Sequence, residues 1–599
     1  MKLTGAEIVV EHLIAQGCQY IIGIPGHGNL ALTDALRRRE SEITVIQAMH
    51  ESAAVHMADG YYRATGQPLA VFTSIGPGAL NTIIGLANAY VDSTAVLALT
   101  GDTHVHMAGR GVLQEIERRQ SADNFRALEP VVKRAWRITD VAQLPNAMQR
   151  AFNHMRSGRP GPTAINLPMD VQAASADVEL PTPVQHLPGG VPQGDPAQVE
   201  QAVELLARAK RPVILVGGGV ITANASQALR KVAEASGAAV VNTMMGIGAF
   251  PADHPLYGWA TGSKGTSCGL QLTAQADVLL AVGCRFADET ASSYRRGVSF
   301  SIPPTKLIHV DLDPAEIGKN YPVTVGIVGD ARAVLEQIAE ALGERGASDY
   351  ASGEYFAQIQ QFKREWIEKL AAHRDDSKVP VMISTVLQRL RPLLDRDAIV
   401  VTSSGNVQAQ IIQEFEFYQP RTCLTAGGFS TMGFTLPAAL GAKLAAPDRQ
   451  VVGLVGDGDF MMHMQELSTA VRYNLPVVII ILNNSGWISI RDLQMAVYGE
   501  QTAFATDFTK ANGEYSPHLA DIAQSFGCHG QRISRAEEIE PAVRAALQAE
   551  RPAVIEVLVN RQFPYTGTPA VGWWDVPVPG YFTERRAQYE SERGEESLR

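Results

Sequence analysis

The sequence predicts an α/β protein of three doubly wound parallel-sheet domains, and three observations carry that expectation. Short continuous apolar runs, without the alternation of a half-exposed strand, recur from "YIIGIPG" through "PVILVGGG" to "VVIIILNN". Stretches of helical periodicity separate them, as expected when parallel strands are covered on both faces. Two polar breaks, at 180–198 and 345–380, divide the 599 residues into units of ordinary domain size.

The elements follow in order. "MKLTGAEIVVEHLIAQG" carries Glu7 and Glu11 inside its apolar pattern, so it is expected to be an amphipathic helix and not a secretion signal. "YIIGIPG", "LAVFTSIGPG" and "AVLALTG" supply strands for a first domain over 1–180. "PVILVGGG", "VLLAVGC" and "KLIHVDLDP" do so for a second over 190–345. "AIVVTSSG", "VVGLVGDG" and "VVIIILNN" do so for a third over 375–563. The segment 564–599 is left over, apolar and proline-rich around Trp573 and Trp574, then charged. The first and third domains share a faint echo: in both, a helix, a short linker, an apolar strand and a Gly-x-Gly turn succeed one another.

Composition removes several functions. A net charge of -11 without basic runs gives no footprint for nucleic acid. "PVVIIIL" is too short to cross a bilayer, so no membrane span is expected. Five scattered cysteines without CxxC spacing suggest neither disulfides nor zinc and fit a reducing cytoplasm.

Chemistry is concentrated in "GLVGDGDFMMHMQELSTAVRYNLPVVIIILNNSGW". It is expected to form one β-α-β unit with its helix over 459–473, and a right-handed crossover puts both strand ends at one sheet edge. Asp457 and Asn484 then converge, and with the Gly486 carbonyl they offer hard oxygen ligands suited to Mg²⁺. Gly456 and Gly458 let the backbone approach a phosphate at the start of the helix, which Asp459 opens.

"GDG" followed by "NN" resembles the thiamine-diphosphate motif, and the resemblance covers nearly the whole chain. "GGFSTMGFTLPAALGA" is similar to the segment before that motif in acetolactate-synthase-like enzymes; "MHESAAVHMADGYYRATG" and "GPGALNTIIGLANAYVDS" resemble the superfamily's catalytic-glutamate segment. The resemblance implies pyrimidine-binding, central and diphosphate-binding domains, with thiamine diphosphate and Mg²⁺ as cofactors. It implies that Glu51 bonds the aminopyrimidine and that Met432 wedges the cofactor into its reactive shape. It also implies that Asn406, Ser430 and Pro77 line the cofactor and that Gln114 faces the substrate. His27, in "GIPGHGN", stands where related enzymes carry other groups, and it is expected to shuttle protons. Because Glu51 and the diphosphate residues lie in different domains, a homodimer or homotetramer with sites across the dimer interface is implied.

The substrate, a small molecule, is less legible. "CRFADETASS" places Glu289 where acetolactate synthases hold an acceptor carboxylate with arginine. The tail with Trp573 and Trp574 is similar to the lid of the acyl-CoA branch. The leading expectation is therefore a lyase or carboligase acting on a 2-hydroxyacyl-CoA or a 2-keto compound. Acetolactate synthesis from 2-ketoacids is the alternative; a cyclic dione hydrolase or a non-catalytic relative stands behind both. "PVILVGGGVITANA" could hold FAD or the ADP part of CoA.

Overall fold

The structure, a computed structural model, describes residues 2–119, 124–180, 190–345, 350–511, 513–562 and 576–593. Trp573 and Trp574 lie outside the described residues.

Three six-stranded, wholly parallel sheets form the frame. The first contains β1 (Tyr20–Gly23), β2 (Thr44–Gln47), β3 (Leu69–Thr73), β4 (Val96–Asp102), β5 (Arg134–Arg137) and β6 (Thr163–Pro168), in spatial order β2-β1-β3-β4-β6-β5. The second contains β7 (Pro212–Val216), β8 (Ala239–Asn242), β9 (Tyr257–Ala260), β10 (Val278–Val282), β11 (Lys306–Asp311) and β12 (Val325–Val328), in order β9-β8-β7-β10-β11-β12. The third contains β13 (Ile399–Thr402), β14 (Cys423–Thr425), β15 (Val451–Gly456), β16 (Val478–Asn483), β17 (His529–Ile533) and β18 (Ala553–Leu558), in order β14-β13-β15-β16-β18-β17. The first and third sheets thus share one topology, which accounts for the echo in sequence. The second has the strand order of dinucleotide-binding folds.

Central strands such as β4, β10 and β16 are buried along their whole length, so their runs rich in Val, Leu and Ile satisfy helices on both faces. The polar break at 345–380 holds more order than its composition suggests. An 18-residue helix, Glu354–Ala371, buries Ile359, Phe362 and Trp366 in the core of the second domain. Among the described residues, no helix is long and apolar enough to cross a membrane.

The first and third domains meet through α1 (Glu51–Thr65) and α2 (Thr435–Ala445). Helix α1 starts where the His50 ring accepts the Ser52 N–H, and it ends at Gly66 in the left-handed conformation. Its glycine at 60 faces Ala438, and Gly441 of α2 faces Met57; a methyl group at either would drive into the opposing backbone carbonyl. Small residues therefore let the two backbones touch. Arg63 adds to the junction, donating to the Thr425 carbonyl at 2.6 Å and to Asp92 at 3.0 Å.

Gly60→Ala and Gly441→Ala are each expected to cost about 1–3 kcal/mol by overpacking, read as a lower denaturant midpoint. Parental stability in both would show that the helices do not pack this closely.

Candidate active site

Open α/β sheets bind ligands beyond the carboxyl ends of their strands, where the strand order reverses. In the first sheet that point lies between β1 and β3, and in the third between β13 and β15. The residues singled out by sequence follow these strands. His27 follows β1 and Pro77 follows β3, while Asn406 follows β13 and Asp457 follows β15.

At the first edge, the Gly28 N–H donates to Ser74 at 3.3 Å, which ties the His27 turn to the segment leading to Pro77. His27 and Pro77 are both exposed. The Glu51 carboxylate accepts from Asn81 at 2.9 Å and lies against Gly78. Gln114 is exposed and adopts a left-handed φ of 68°, and its carbonyl presses on Gly76. His27, Glu51, Pro77 and Gln114 thus share one sheet edge. Its neighbour Glu115 is a loop staple, accepting the N–H of Gly109 at 2.6 Å and of Gly111 at 3.1 Å.

At the third edge the convergence is direct. Asp457, buried, accepts the Gly486 N–H at 3.2 Å and hydrogen bonds from the backbone of Gly458 and Asn484. Burial nonetheless pushes its carboxyl up to about 6. A buried carboxylate beside the Asn484 amide and a loop carbonyl is a hard-oxygen set, and a divalent cation there would restore the charge that burial disfavours. These residues fit the metal that the motif implies.

The helix differs from its sequence expectation. It opens at Asp457, runs only to His463, and breaks in a 3₁₀ turn before resuming at Leu467–Arg472. Asp459 is therefore inside the helix, and its buried carboxylate points back to bond Ser403 and the Gly433 N–H, fixing the loop that carries Met432. The two glycines also divide their tasks. Gly456 opens on free space, whereas a side chain on Gly458 would collide with the Trp487 indole. Met432 is 38% exposed, and Ser430, at φ 58°, donates to Ser404 at 3.1 Å. Asn406 reaches Asp492 at 3.4 Å. Among the described residues, no hydrogen bond joins Glu51 to Asp457 or Asn484 within one chain.

A cavity of about 1100 Å³ opens at the reversal point of the second sheet. Gly217 and Gly219 after β7, Gly283 after β10 and Asp311 at the end of β11 line it, and it extends to Ser404 and Ser430 of the third domain. Glu289, on its wall, is paired with the Lys264 ammonium at 3.0 Å. Sequence reading missed this lysine, because only the fold brings 264 beside 289.

Models of the thiamine pyrophosphate enzyme domains match the chain in order: the N-terminal binding domain at residues 3–122, the central domain at 199–338 and the C-terminal binding domain at 403–557. The chain belongs to the thiamine pyrophosphate enzyme family. It is 35% identical to a probable acetolactate synthase large subunit of Methanocaldococcus jannaschii, over 93% of this chain and 92% of that protein. It is equally identical to the acetolactate synthase large subunit of Corynebacterium glutamicum, over 93% of this chain and 87% of the relative. The Escherichia coli acetolactate synthase isozyme 3 large subunit matches at 35%, over 92% and 93%. The chain is thus a thiamine-diphosphate-dependent enzyme that forms carbon–carbon bonds. The likeness favours the second of the two substrate expectations, and the 2-hydroxyacyl-CoA reading gains no support from it.

Glu466 is a further residue that the sequence did not single out. Fully buried, it accepts the Met49 N–H at 3.0 Å and the Thr469 hydroxyl at 2.7 Å, so it clamps the backbone two residues before Glu51. Burial pushes its carboxyl from 4.5 up to about 7, against the lowering effect of those bonds. The folded chain therefore holds a proton that the unfolded chain has lost, and folding stability falls as pH rises through that window. Glu466→Gln is expected to flatten this dependence, bringing the denaturant midpoints at pH 5 and pH 7.5 closer together than in the parent. An unchanged difference between the midpoints would contradict the assignment.

Proposed function

We propose that the protein is a thiamine-diphosphate- and Mg²⁺-dependent carboligase that condenses 2-ketoacids, with 2-acetolactate formed from pyruvate as the reference reaction. The observation that carries this reading is the likeness to acetolactate synthase large subunits through all three domains. The two features that favoured an acyl-CoA substrate carry less. Trp573 and Trp574 lie outside the described residues, and Glu289 does not present an unbalanced negative charge, because Lys264 is bonded to it.

Thiamine diphosphate, when bound, would supply a nucleophilic carbon and an electron sink for 2-ketoacid chemistry. Asp457, Asn484 and the Gly486 carbonyl would hold Mg²⁺ for the diphosphate. Gly456 leaves the backbone open to it, with Asn406 and Ser430 beside it. Glu51 would hold the aminopyrimidine in the tautomer that takes up a proton, Gly78 backs that carboxylate, and Pro77 would line the cofactor. Met432 would press the cofactor into shape, Asp459 anchoring its loop. His27 and Gln114 would face the substrate, His27 as the proton carrier.

We place the complete site between two copies of the chain, in a homodimer or homotetramer, with Glu51 from one and Asp457 from the other. Exposed apolar groups at both edges, Leu113 and Met49 on the first and Phe504 and Met432 on the third, support that arrangement. The cavity of the second domain is assigned to FAD. Its strand order and glycine turns suit a dinucleotide, and its volume exceeds the roughly 300–1,000 Å³ of ordinary small-molecule sites. Five free cysteines support a cytoplasmic setting.

Purified enzyme with thiamine diphosphate and Mg²⁺ is expected to convert pyruvate to acetolactate and to show flavin absorbance. Product only from a 2-hydroxyacyl-CoA would overturn the reading. Glu51→Gln should lower kcat by about 10²–10⁴-fold, the range of proton-transfer catalysis, with cofactor binding retained; unaltered turnover would remove Glu51 from the mechanism.

A further inference from the structure

The loop that follows β16 carries both Asn484 and Gly486, and its shape is held from outside the motif. Arg561 lies three residues past the end of β18, the strand paired in parallel with β16. Its guanidinium donates through Nε to the Asn484 carbonyl at 2.9 Å and through Nη2 to the Ser485 carbonyl at 2.7 Å. The remaining arm, Nη1, bonds Asp507 at 2.8 Å and pairs with Glu514 at 3.0 Å. Asp507 is itself bound to the loop, since Gly486 and Asp507 form an antiparallel bridge flanked by Trp487 N–H to Thr506 at 2.8 Å and Phe508 N–H to Ser485 at 2.9 Å.

The loop needs such a hold. Ser485 sits at φ 55°, a conformation that a non-glycine residue adopts at a cost, and within the turn it is held by one side chain, the Asn483 carboxamide oxygen accepting the Ser485 N–H at 3.0 Å and its hydroxyl at 3.5 Å. A planar guanidinium that bonds two successive carbonyls fixes both peptide planes at once, which a point charge on a flexible stem cannot do. Those planes set where the Asn484 side chain leaves the backbone and where the Gly486 carbonyl comes to lie. Octahedral Mg²⁺ tolerates little error in that placement.

We propose that Arg561 is the positioning residue of the cation site: it acts through the Asn484 and Ser485 carbonyls and holds the Asn484–Gly486 loop in its cation-binding shape. The inference rests on the proposed Mg²⁺ site and adds a residue from outside its motif. Arg561 does not touch the cation. It sets the affinity of the loop for it, and the Asp507–Glu514 pair balances its charge so that the guanidinium does not repel the metal.

The test uses the full-length protein with thiamine diphosphate and Mn²⁺, whose free form is counted by electron paramagnetic resonance. Arg561→Ala is expected to weaken Mn²⁺ binding at least about tenfold. Arg561→Lys, which keeps the charge and one bond at most, should fall between Ala and parent, and the near-ultraviolet signal of Trp487 should saturate at correspondingly higher metal. If Arg561→Ala does not fold, the lysine variant carries the test: parental Mn²⁺ affinity in it overturns the proposal. A parent that binds no Mn²⁺ overturns the cation site and the role of Arg561 together, whereas a parent that binds, with variants equal to it, overturns Arg561 alone.

Discussion

The approach of α1 and α2 is the constraint on which the rest of the molecule depends. Glu51 is the first residue of α1, and Met432 lies three residues before α2, so contact between these helices fixes the relative placement of two groups that the proposed dimer would use in its two pockets. Glycine at 60 and 441 brings the backbones within touching distance, and the Arg63 bridge to Asp92 and Thr425 closes the same junction. Around it, the His463 ring links the Gly433 carbonyl, at 2.7 Å, to Ser52 at 2.8 Å, joining the Met432 loop to the start of α1. Positioning of the reactive groups is therefore a by-product of domain packing and not a property of one loop.

Buried acids do the fine adjustment. Asp457, Asp459 and Glu466 each sit where desolvation favours the neutral form, and each is held in place by backbone N–H groups. Asp457 faces the loop after β16, Asp459 the loop of Met432, and Glu466 the segment before Glu51. Three segments of one chain that would border the cofactors of the proposed dimer are thus each tied to the region of the Gly-Asp-Gly helix by a carboxylate. Such groups are costly to bury unpaired. Their hydrogen bonds to backbone make them positional clamps, and the cation at Asp457 would complete the set.

Much of this was legible in sequence because parallel strands advertise themselves. Runs such as "PVVIIIL" must be buried on both faces, and the Gly-Asp-Gly to Asn-Asn interval follows from one crossover helix between adjacent strands. The shared order of the first and third sheets was visible as the repeat of helix, linker, strand and turn. What sequence could not deliver were contacts between residues far apart in the chain. Lys264 pairs with Glu289 across 25 residues, Met49 with Glu466 across 417, and Arg561 with Asn484 across 77. The break of the helix at Met464–Glu466 was equally hidden, since "MMHMQELST" contains neither glycine nor proline; at the break Glu466 reaches across the chain to the Met49 N–H. The helix at 354–371 was obscured by its polar surface, its buried stripe being only four residues wide.

In the proposed dimer, Glu51 and Asp457 serve one site from two copies of the chain. Mixing two inactive variants, Glu51→Gln and Asp457→Asn, under conditions that exchange subunits tests it directly. Shared sites require activity to return in the mixture, because each mixed dimer then contains one site with both native residues. A mixture as inactive as its components, with exchange demonstrated by mass, would place both residues of each site in a single chain and contradict the account.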